Sequence, residues 1–279
     1  MKSLGECEMK LKRKSKQKLK KRAGTVYTAL VFIFLYMPIM IIILFSFNTS
    51  ERNVVFEGFT TKWYGIMVQN SALLYAFKNT LTVGFWSTLI SAAIGTLAAV
   101  GMYRYRFHGR NLIDMLLYIP VVIPEIVLGI SLLSMFSLCH VSLGLASLVA
   151  AHVTFCIPFV VFTVRARLSG YDNSIEEAAM DLGANRRQVF FRITVPVIAP
   201  GIISGAALAF TLSVDDIIIS FFTTGPKSTT FPLKAMELVR TGITPDVYAL
   251  STIVITVTFS VVLTVQTVLY KKNKKLNES

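Results

Sequence analysis

Hydrophobic residues fall in six long blocks along this chain, near residues 26–46, 77–101, 112–137, 143–164, 197–222 and 249–270, with polar stretches between them. Each block can cross a bilayer, because about 30 Å of hydrocarbon needs roughly 20 apolar residues at about 1.5 Å of rise each. The pattern predicts an all-α polytopic membrane protein with six transmembrane helices. Pro38 in the first block and Pro120 and Pro124 in the third are compatible with this, since packed neighbours can satisfy the carbonyls a proline frees. The first block is too long for a signal-peptide core and carries no small-residue cleavage site, so it reads as an uncleaved span.

The polar interval 165–196 has a periodicity of its own. Ser174 followed three residues later by Glu177 matches a capping box and predicts a helix starting near Ile175. Ile175, Ala178, Ala179 and Leu182 then form one apolar stripe. Gly183 stands where a helix commonly ends in a left-handed cap, and Asn185 can cap a second short helix carrying Val189 and Ile193 before Pro196 opens the next span. Such a stripe must bury itself against something. From the residues alone, a separate partner and the protein's own helix ends are equally good candidates, with Glu177 only a cap in the second case.

Composition agrees with the pattern: 54% of the residues are hydrophobic and 15% charged, too apolar for a soluble domain. The formal charge of +13 acquires meaning from its distribution. Ten Lys/Arg lie within residues 1–22, and the intervals after the second and fourth spans and the C-terminus bring this side of the membrane to 22 of the 28 basic residues. The positive-inside rule then makes both termini cytoplasmic, with 165–196 the longest internal cytoplasmic loop. The basic tail is a topology signal that also touches anionic lipid. No aromatic residues interleave it and no nucleic-acid fold is attached, so nucleic acid is not an expected partner. Cys7, Cys139 and Cys156 lack any paired spacing, which excludes a disulfide scaffold or structural zinc site.

Ionisable residues inside spans are candidates for function, because each costs several kcal/mol unless paired or hydrated. Glu125, about 13 residues into the third span, would lie roughly 20 Å deep, and Asp215 and Asp216, about 18 residues into the fifth, roughly 27 Å deep. Helical neighbours point about 100° apart. The two aspartates therefore cannot both face one pore, and one is expected to cap or pair with a neighbour such as Thr211 or Ser220. No lysine or arginine lies in the interior of a span to neutralise these acids, so a path lined by them suits a cation, with Tyr118, Phe210 and Phe221 candidates for cation–π contacts. The competing role is structural: bonding broken backbone near Pro120 and Pro124, or facing a companion subunit. His152 reads as a satisfied packing residue before it reads as a relay.

The stretch "EAAMDLGANRRQVFFRITVP" resembles the EAA loop of ABC-importer permease subunits, patterned as E-A-A, three residues, G, nine residues, I-x-L-P. Glu177, Ala178, Ala179, Gly183, Ile193 and Pro196 fall in register, and Val195 takes the place of the usual leucine. Five more stretches, "FNTSERNVVFEGFTTKWY", "YRYRFHG", "AHVTFCIPFVVFTVRARLSGYD", "SVDDIIISFFTTGP" and "FPLKAMELVRTGITPDVYAL", resemble the polyamine-importing branch of that family. The resemblance runs from about residue 26 to 270 and leaves the basic tails 1–25 and 271–279 outside.

It implies the type I ABC-importer permease fold, with a first helix at 26–46, an external loop at 47–76 and a five-helix core at 77–270. The loop 165–196 would be the coupling element that inserts into a cytoplasmic ABC ATPase dimer. The other implied partners are a second, related permease subunit and an extracytoplasmic polyamine-binding protein, in a bacterial inner membrane. No cofactor is expected on this chain itself: it lacks G-x-x-x-x-G-K-[ST], so ATP and Mg would sit on the partner ATPase. No nucleophile–base constellation is present, and a transport subunit is expected, not an enzyme. Two alternatives remain beside polyamine import: ABC import of another cation or of iron, and a proton-coupled carrier using the intramembrane acids as a relay.

Overall fold

The computed structural model describes the backbone at residues 2–51, 55–172 and 174–277, and the side chains there except those of 2–23, 241, 261–262, 265–266 and 268–277. The side chains of both basic tails thus lie outside the described residues. Every regular element among the described residues is helical: α1 (Lys2–Phe45), α2 (Lys62–Gln69), α3 (Ser71–Arg104), α4 (Arg110–Val122), α5 (Glu125–Leu138), α6 (Leu145–Leu168), α7 (Ser174–Asp181), α8 (Arg186–Val189), a π-helical turn (Phe190–Thr194), α9 (Val195–Asp215), α10 (Ile218–Thr223), α11 (Phe231–Thr241) and α12 (Pro245–Asn277). They form two compact units, residues 1–69 with 243–279, and residues 70–242.

In the first unit α12 packs against α1 and α2. Tyr36 meets Phe259 edge-on with centroids 6.4 Å apart. The loop between α1 and α2 is organised by buried Asn48, whose amide donates to the Val55 carbonyl and accepts from the Glu57 amide, while the Trp63 indole donates to the Asn48 carbonyl at 2.6 Å. The apolar window of α1 is exposed along its length, as a lipid-facing helix should be.

The second unit is built on α3, α6 and α9, which pack on one another. Small residues let these backbones approach. A Cβ on Gly95 would stand 2.8 Å from Val160, and one on Gly205 would stand 3.1 Å from the Val160 Cα. Within a bilayer, where burial against lipid gains little, such close packing is a main source of helix association. Asn79 donates to the carbonyls of Lys227 and Thr229, and Thr80 accepts from the Phe231 amide, which fixes the start of α11 against α3.

Two expected spans are interrupted. Four helical stretches, Gly24–Phe45, Ser71–Arg104, Leu145–Leu168 and Arg186–Asp215, are long and apolar enough to cross a membrane. The third expected span, 112–137, is a broken pair: α4 and α5 meet at a bend of 114°. Ile123, directly before Pro124, is extended at φ −72°, ψ 138°. The proline ring crowds the preceding residue out of the α region, so the helix ends there. A depth for Glu125 counted along a straight helix does not survive this bend.

The fifth expected span, 197–222, is also redrawn. Its helix starts earlier, at Arg186, passing through the π turn into α9, so Pro196 lies inside a continuous helix and does not open it. Pro196 has no N–H to close an ordinary turn, and the Val195 amide bonds the Phe190 carbonyl five residues back. The helix stops at Asp215, and Asp216 is extended at φ −66°, ψ 131°. The last expected span lies in α12, whose described apolar stretch Pro245–Ser260 is shorter than the others.

Candidate substrate path and coupling hairpin

The hairpin forms where the pattern placed it. Gly183 has φ +89°; its amide bonds the Met180 carbonyl, and the Ala184 amide bonds the Ala179 carbonyl. This is a Schellman ending, in which the left-handed residue turns its own amide and the next one back onto orphan carbonyls of the last turn. Asn185 and Gln188 cap each other reciprocally at 2.9 Å and start α8. At the start of α7 the Ser174 amide donates to Asp172 at 2.9 Å.

The apolar stripe faces outward: Ile175 and Ala178 are exposed, Leu182 is 90% exposed, and only Ala179 is half-buried. Glu177 is exposed, as is Pro196; Ile193 is half-buried. Glu177 also lines a cleft of about 480 Å³ with Tyr103, Arg104, Glu176, Met180 and Arg186.

The residue that sequence reasoning missed is Glu176. It is buried, and its Oε1 accepts from Arg104 Nη2 at 2.5 Å, Thr194 Oγ1 at 2.6 Å and Tyr171 Oη at 2.8 Å. Burial pushes its carboxyl up, but the Thr194 and Tyr171 hydroxyls and the Arg104 guanidinium outweigh burial and hold it below its ordinary value. Burial and the hydrogen bond to Glu176 push the Tyr171 phenol up to about 12. The doublet Glu176–Glu177 offers little to tell its members apart: on a helix they stand about 120° and about 140° from the stripe residue Leu182, so phase does not separate them.

Within the membrane-spanning part, the three acids separate. A cavity of about 260 Å³ is lined by Glu125, Phe155, Thr211, Leu212, Asp215, Asp216, Ile217 and Ile218, with no basic residue among them. It lies where α9 ends, α10 begins and α5 begins, so the two helix breaks converge on it. Glu125 and Asp215 are exposed.

Asp216 reaches the same cavity but is buried and engaged, contrary to an open role in the path. Its carboxylate accepts from the Ile219 amide (3.2 Å), the Ser220 amide (2.7 Å) and the Ser220 hydroxyl (2.7 Å), capping α10. The pairing expected between one aspartate and Ser220 is therefore present, and Asp216 makes it. Aspartate ends helices in this way because its short side chain competes for backbone amides.

Behind Asp216 runs a buried polar chain. Ser87 Oγ lies 2.9 Å from Ser213 Oγ, Ser213 Oγ 2.7 Å from His152 Nδ1, and His152 Nε2 3.0 Å from Ser220 Oγ and 3.4 Å from Asp216 Oδ2. Each hydroxyl has one proton to give. Ser220 spends its proton on Asp216, so it accepts from His152 Nε2–H; Ser213 then donates to Nδ1 and accepts from Ser87. Every member is satisfied when His152 carries its proton on Nε2. His152 is thus the satisfied packing residue the sequence suggested.

The expected aromatic participants are elsewhere. Tyr118 packs on Phe162 with centroids 4.8 Å apart and does not line the cavity; nor do Phe210 and Phe221, and Phe155 is the aromatic that does. Tyr118 stands in α4, which the break at Pro124 separates from the cavity wall.

An all-helical membrane protein with two broken helices meeting at an acidic cavity, and a capped hairpin with an uncovered stripe, has the parts of an importer permease. The chain belongs to the family described as "Binding-protein-dependent transport system inner membrane component", whose model matches residues 91–275. It is a permease subunit of an ABC importer, a multi-pass transport component and not an enzyme.

Among its relatives it is 42% identical over 229 residues to the spermidine/putrescine transport system permease protein PotC of Escherichia coli (strain K12), covering 82% of this chain and 87% of that protein. It is 42% identical over 218 residues to the putrescine transport system permease protein PotI of the same strain, covering 76% and 78%. A crystal structure of a bacterial alginate ABC transporter in complex with an alginate pentasaccharide-bound periplasmic protein superposes with a TM-score of 0.62 at 19% identity, covering 87% of this chain and 92% of that one. That likeness establishes the fold.

Proposed function

We propose that this subunit moves polyamines inward across a bacterial inner membrane, and that the cavity at the two helix breaks lies on their path. The observation that carries the reading is the pair of exposed carboxylates, Glu125 and Asp215, in a cavity without a basic residue. A polyamine must shed water from several ammonium groups as it passes. Carboxylates in a site of reduced dielectric offset that loss by a few kcal/mol, an order-of-magnitude figure. The end of α9 adds last-turn carbonyls without intrahelical partners, a second feature that favours a cation. The relatives named for spermidine and putrescine transport support the same solute class.

The chain crosses the membrane six times with both termini cytoplasmic, counting α4–α5 as one broken span and α12 as the last. The charge distribution supports this orientation. The hairpin then lies in the cytoplasm and docks on a separate ATPase dimer, which holds ATP and Mg. Glu177, Ala178, Ala179 and Gly183 form the docking turn, with Ile193 and Pro196 at its base; the uncovered stripe supports that partner. A second, related permease subunit completes the path, and a polyamine-binding protein delivers solute to the outer face, where the loops 48–75 and 223–248 lie. The test is uptake of labelled spermidine and putrescine by vesicles holding the complex, with and without ATP and the binding protein. Uptake that ignores ATP but follows a proton gradient would overturn the reading in favour of a carrier.

A further inference from the structure

Resting on the coupling role just proposed, one question remains open: what carries a push on α7 into the membrane helices. The second arm of the hairpin, α8, is anchored by buried Val189 and runs on into α9, but α7 itself has almost no apolar grip, since its stripe is uncovered and Glu176 is the one buried residue among its described residues. The side-chain connection of α7 therefore runs through a carboxylate. Oε1 of Glu176 takes three donors from three elements: Arg104, the last residue of α3; Tyr171, three residues past the end of α6; and Thr194, at the foot of α9. The donors are also tied to one another and to the helices they end. Arg104 Nη2 donates to Thr194 Oγ1 at 2.7 Å, and the Tyr103 hydroxyl donates to the Tyr171 carbonyl at 3.3 Å. The three helices so gathered are the ones that form the core of the second unit.

We propose that Glu176 is the joint of the hairpin: a positioning residue that transmits displacement of α7 to α3, α6 and α9, separate from the residues that dock on the ATPase. The division of labour follows from exposure. Glu177, Ala178 and Leu182 face outward, where a partner can reach them, while Glu176 faces inward and is covered. Charge-assisted bonds of this kind are short and directional, so a rotation of α7 must either drag its three partners or break the bonds. An apolar contact in the same place would let the helix slide. The depressed carboxyl of Glu176 fits this arrangement, because the joint works as an anion.

The test uses the assembled complex in proteoliposomes, with this chain, its permease partner, the ATPase and the soluble binding protein, and reads solute moved per ATP hydrolysed. Glu176→Gln keeps the side chain's size and removes its charge. Hydrolysis and ATPase retention on the membrane should persist while transport per ATP falls about tenfold, the lower end of what one charged hydrogen bond is worth. Arg104→Met should give a similar loss, and the double variant should be no worse than either single one, because both remove the same joint. Tyr171→Phe, which removes one donor and keeps the ion pair, should give an intermediate ratio.

A ratio within twofold of the parent in Glu176→Gln and Arg104→Met would overturn the joint. So would parallel loss of uptake and hydrolysis, or loss of the ATPase from the membrane, since either assigns Glu176 to docking or folding instead. Gly183→Val, in the same assay, separates this result from the coupling reading. If Gly183→Val transports like the parent, the hairpin does not couple and the joint falls with it; if it fails while Glu176→Gln does not, only the joint falls.

Discussion

Gly183 allows the coupling role to be tested by backbone conformation alone. At φ +89° it sits in the region that side chains avoid, yet a Cβ built on it meets nothing within 4 Å. Substitution therefore adds no clash with the rest of the molecule. What changes is the conformational energy of one residue. A left-handed L-residue costs roughly 1–2 kcal/mol. Asparagine pays least because its side chain bonds locally, and a β-branched residue pays most. If the Schellman bonds to Met180 and Ala179 are also lost, each exposed bond adds about 0.5–1.5 kcal/mol.

The series Gly183→Asn, Gly183→Ala and Gly183→Val should thus weaken the docking turn in that order. At 1.4 kcal/mol per decade, about 1 kcal/mol for alanine is about fivefold in ATPase affinity and about 2 kcal/mol for valine is about 25-fold, with asparagine near the parent. Membrane insertion should be unchanged. Binding of the purified ATPase to permease-containing vesicles gives the affinities, and ATP-driven uptake should fall in the same order. Equal affinities across the series would refute a role for the left-handed turn. An asparagine variant as damaged as valine would also refute it, because the harm would then come from side-chain bulk at the docking face.

Asp215→Asn should lower uptake without changing expression or ATPase association, and Glu125→Gln should do so less strongly; uptake at the parental rate in both would return these acids to a structural role. Asp216→Ala should instead reduce thermal stability in detergent by about 3–5 kcal/mol, the usual result of breaking a buried charged network, and an unchanged melting profile would contradict its capping role. Acidification should release the hairpin. A carboxyl held below its ordinary value contributes stability that is full above the unfolded-state pKa of 4.5 and disappears as pH falls through the folded one. Amide exchange over α7 and α8 should therefore rise at low pH in the parent and be already high at neutral pH in Glu176→Gln. A cysteine at Val239, 65% exposed on α11, should cross-link to the binding protein during turnover, and no adduct would argue against an external docking helix.

How much of this was legible in the chain depended on the range of the interaction. The hairpin was readable because its signals are local: a left-handed glycine, an asparagine with a glutamine three residues on, and a stripe at helical spacing all act within one or two turns. The same holds for Asp216 and Ser220, four residues apart. What failed was extrapolation along a straight axis. Pro124 was visible, but a proline inside an apolar run is compatible with a kink, a break or an undisturbed helix, and tertiary contacts choose among them. The depth counted for Glu125 fails for that reason. Glu176 was missed for another: its partners Arg104 and Thr194 lie 72 and 18 residues from it, separations at which no periodicity survives.

The three acids also differ in how much charge each has left for a solute. The cavity is the meeting point of two helix N-termini and one C-terminus, those of α5, α10 and α9. An N-terminus presents roughly half a positive charge and a C-terminus roughly half a negative one. Asp216 is committed to the first of these fields, since its carboxylate is bonded to the amides that open α10 and stands against His152. Glu125, as the first residue of α5, lies close to that helix's own positive end and is partly offset by it. Asp215 closes α9 and stands at the negative end, where its charge and the last-turn carbonyls act in the same direction. A cation entering the cavity therefore meets Asp215 with its field undiminished, Glu125 with its field reduced, and Asp216 already spent on holding the break open. The order of effect on transport should be Asp215 above Glu125, and the order of effect on folding should put Asp216 first; a single acid leading both orders would mean that the helix termini do not set the field in this cavity.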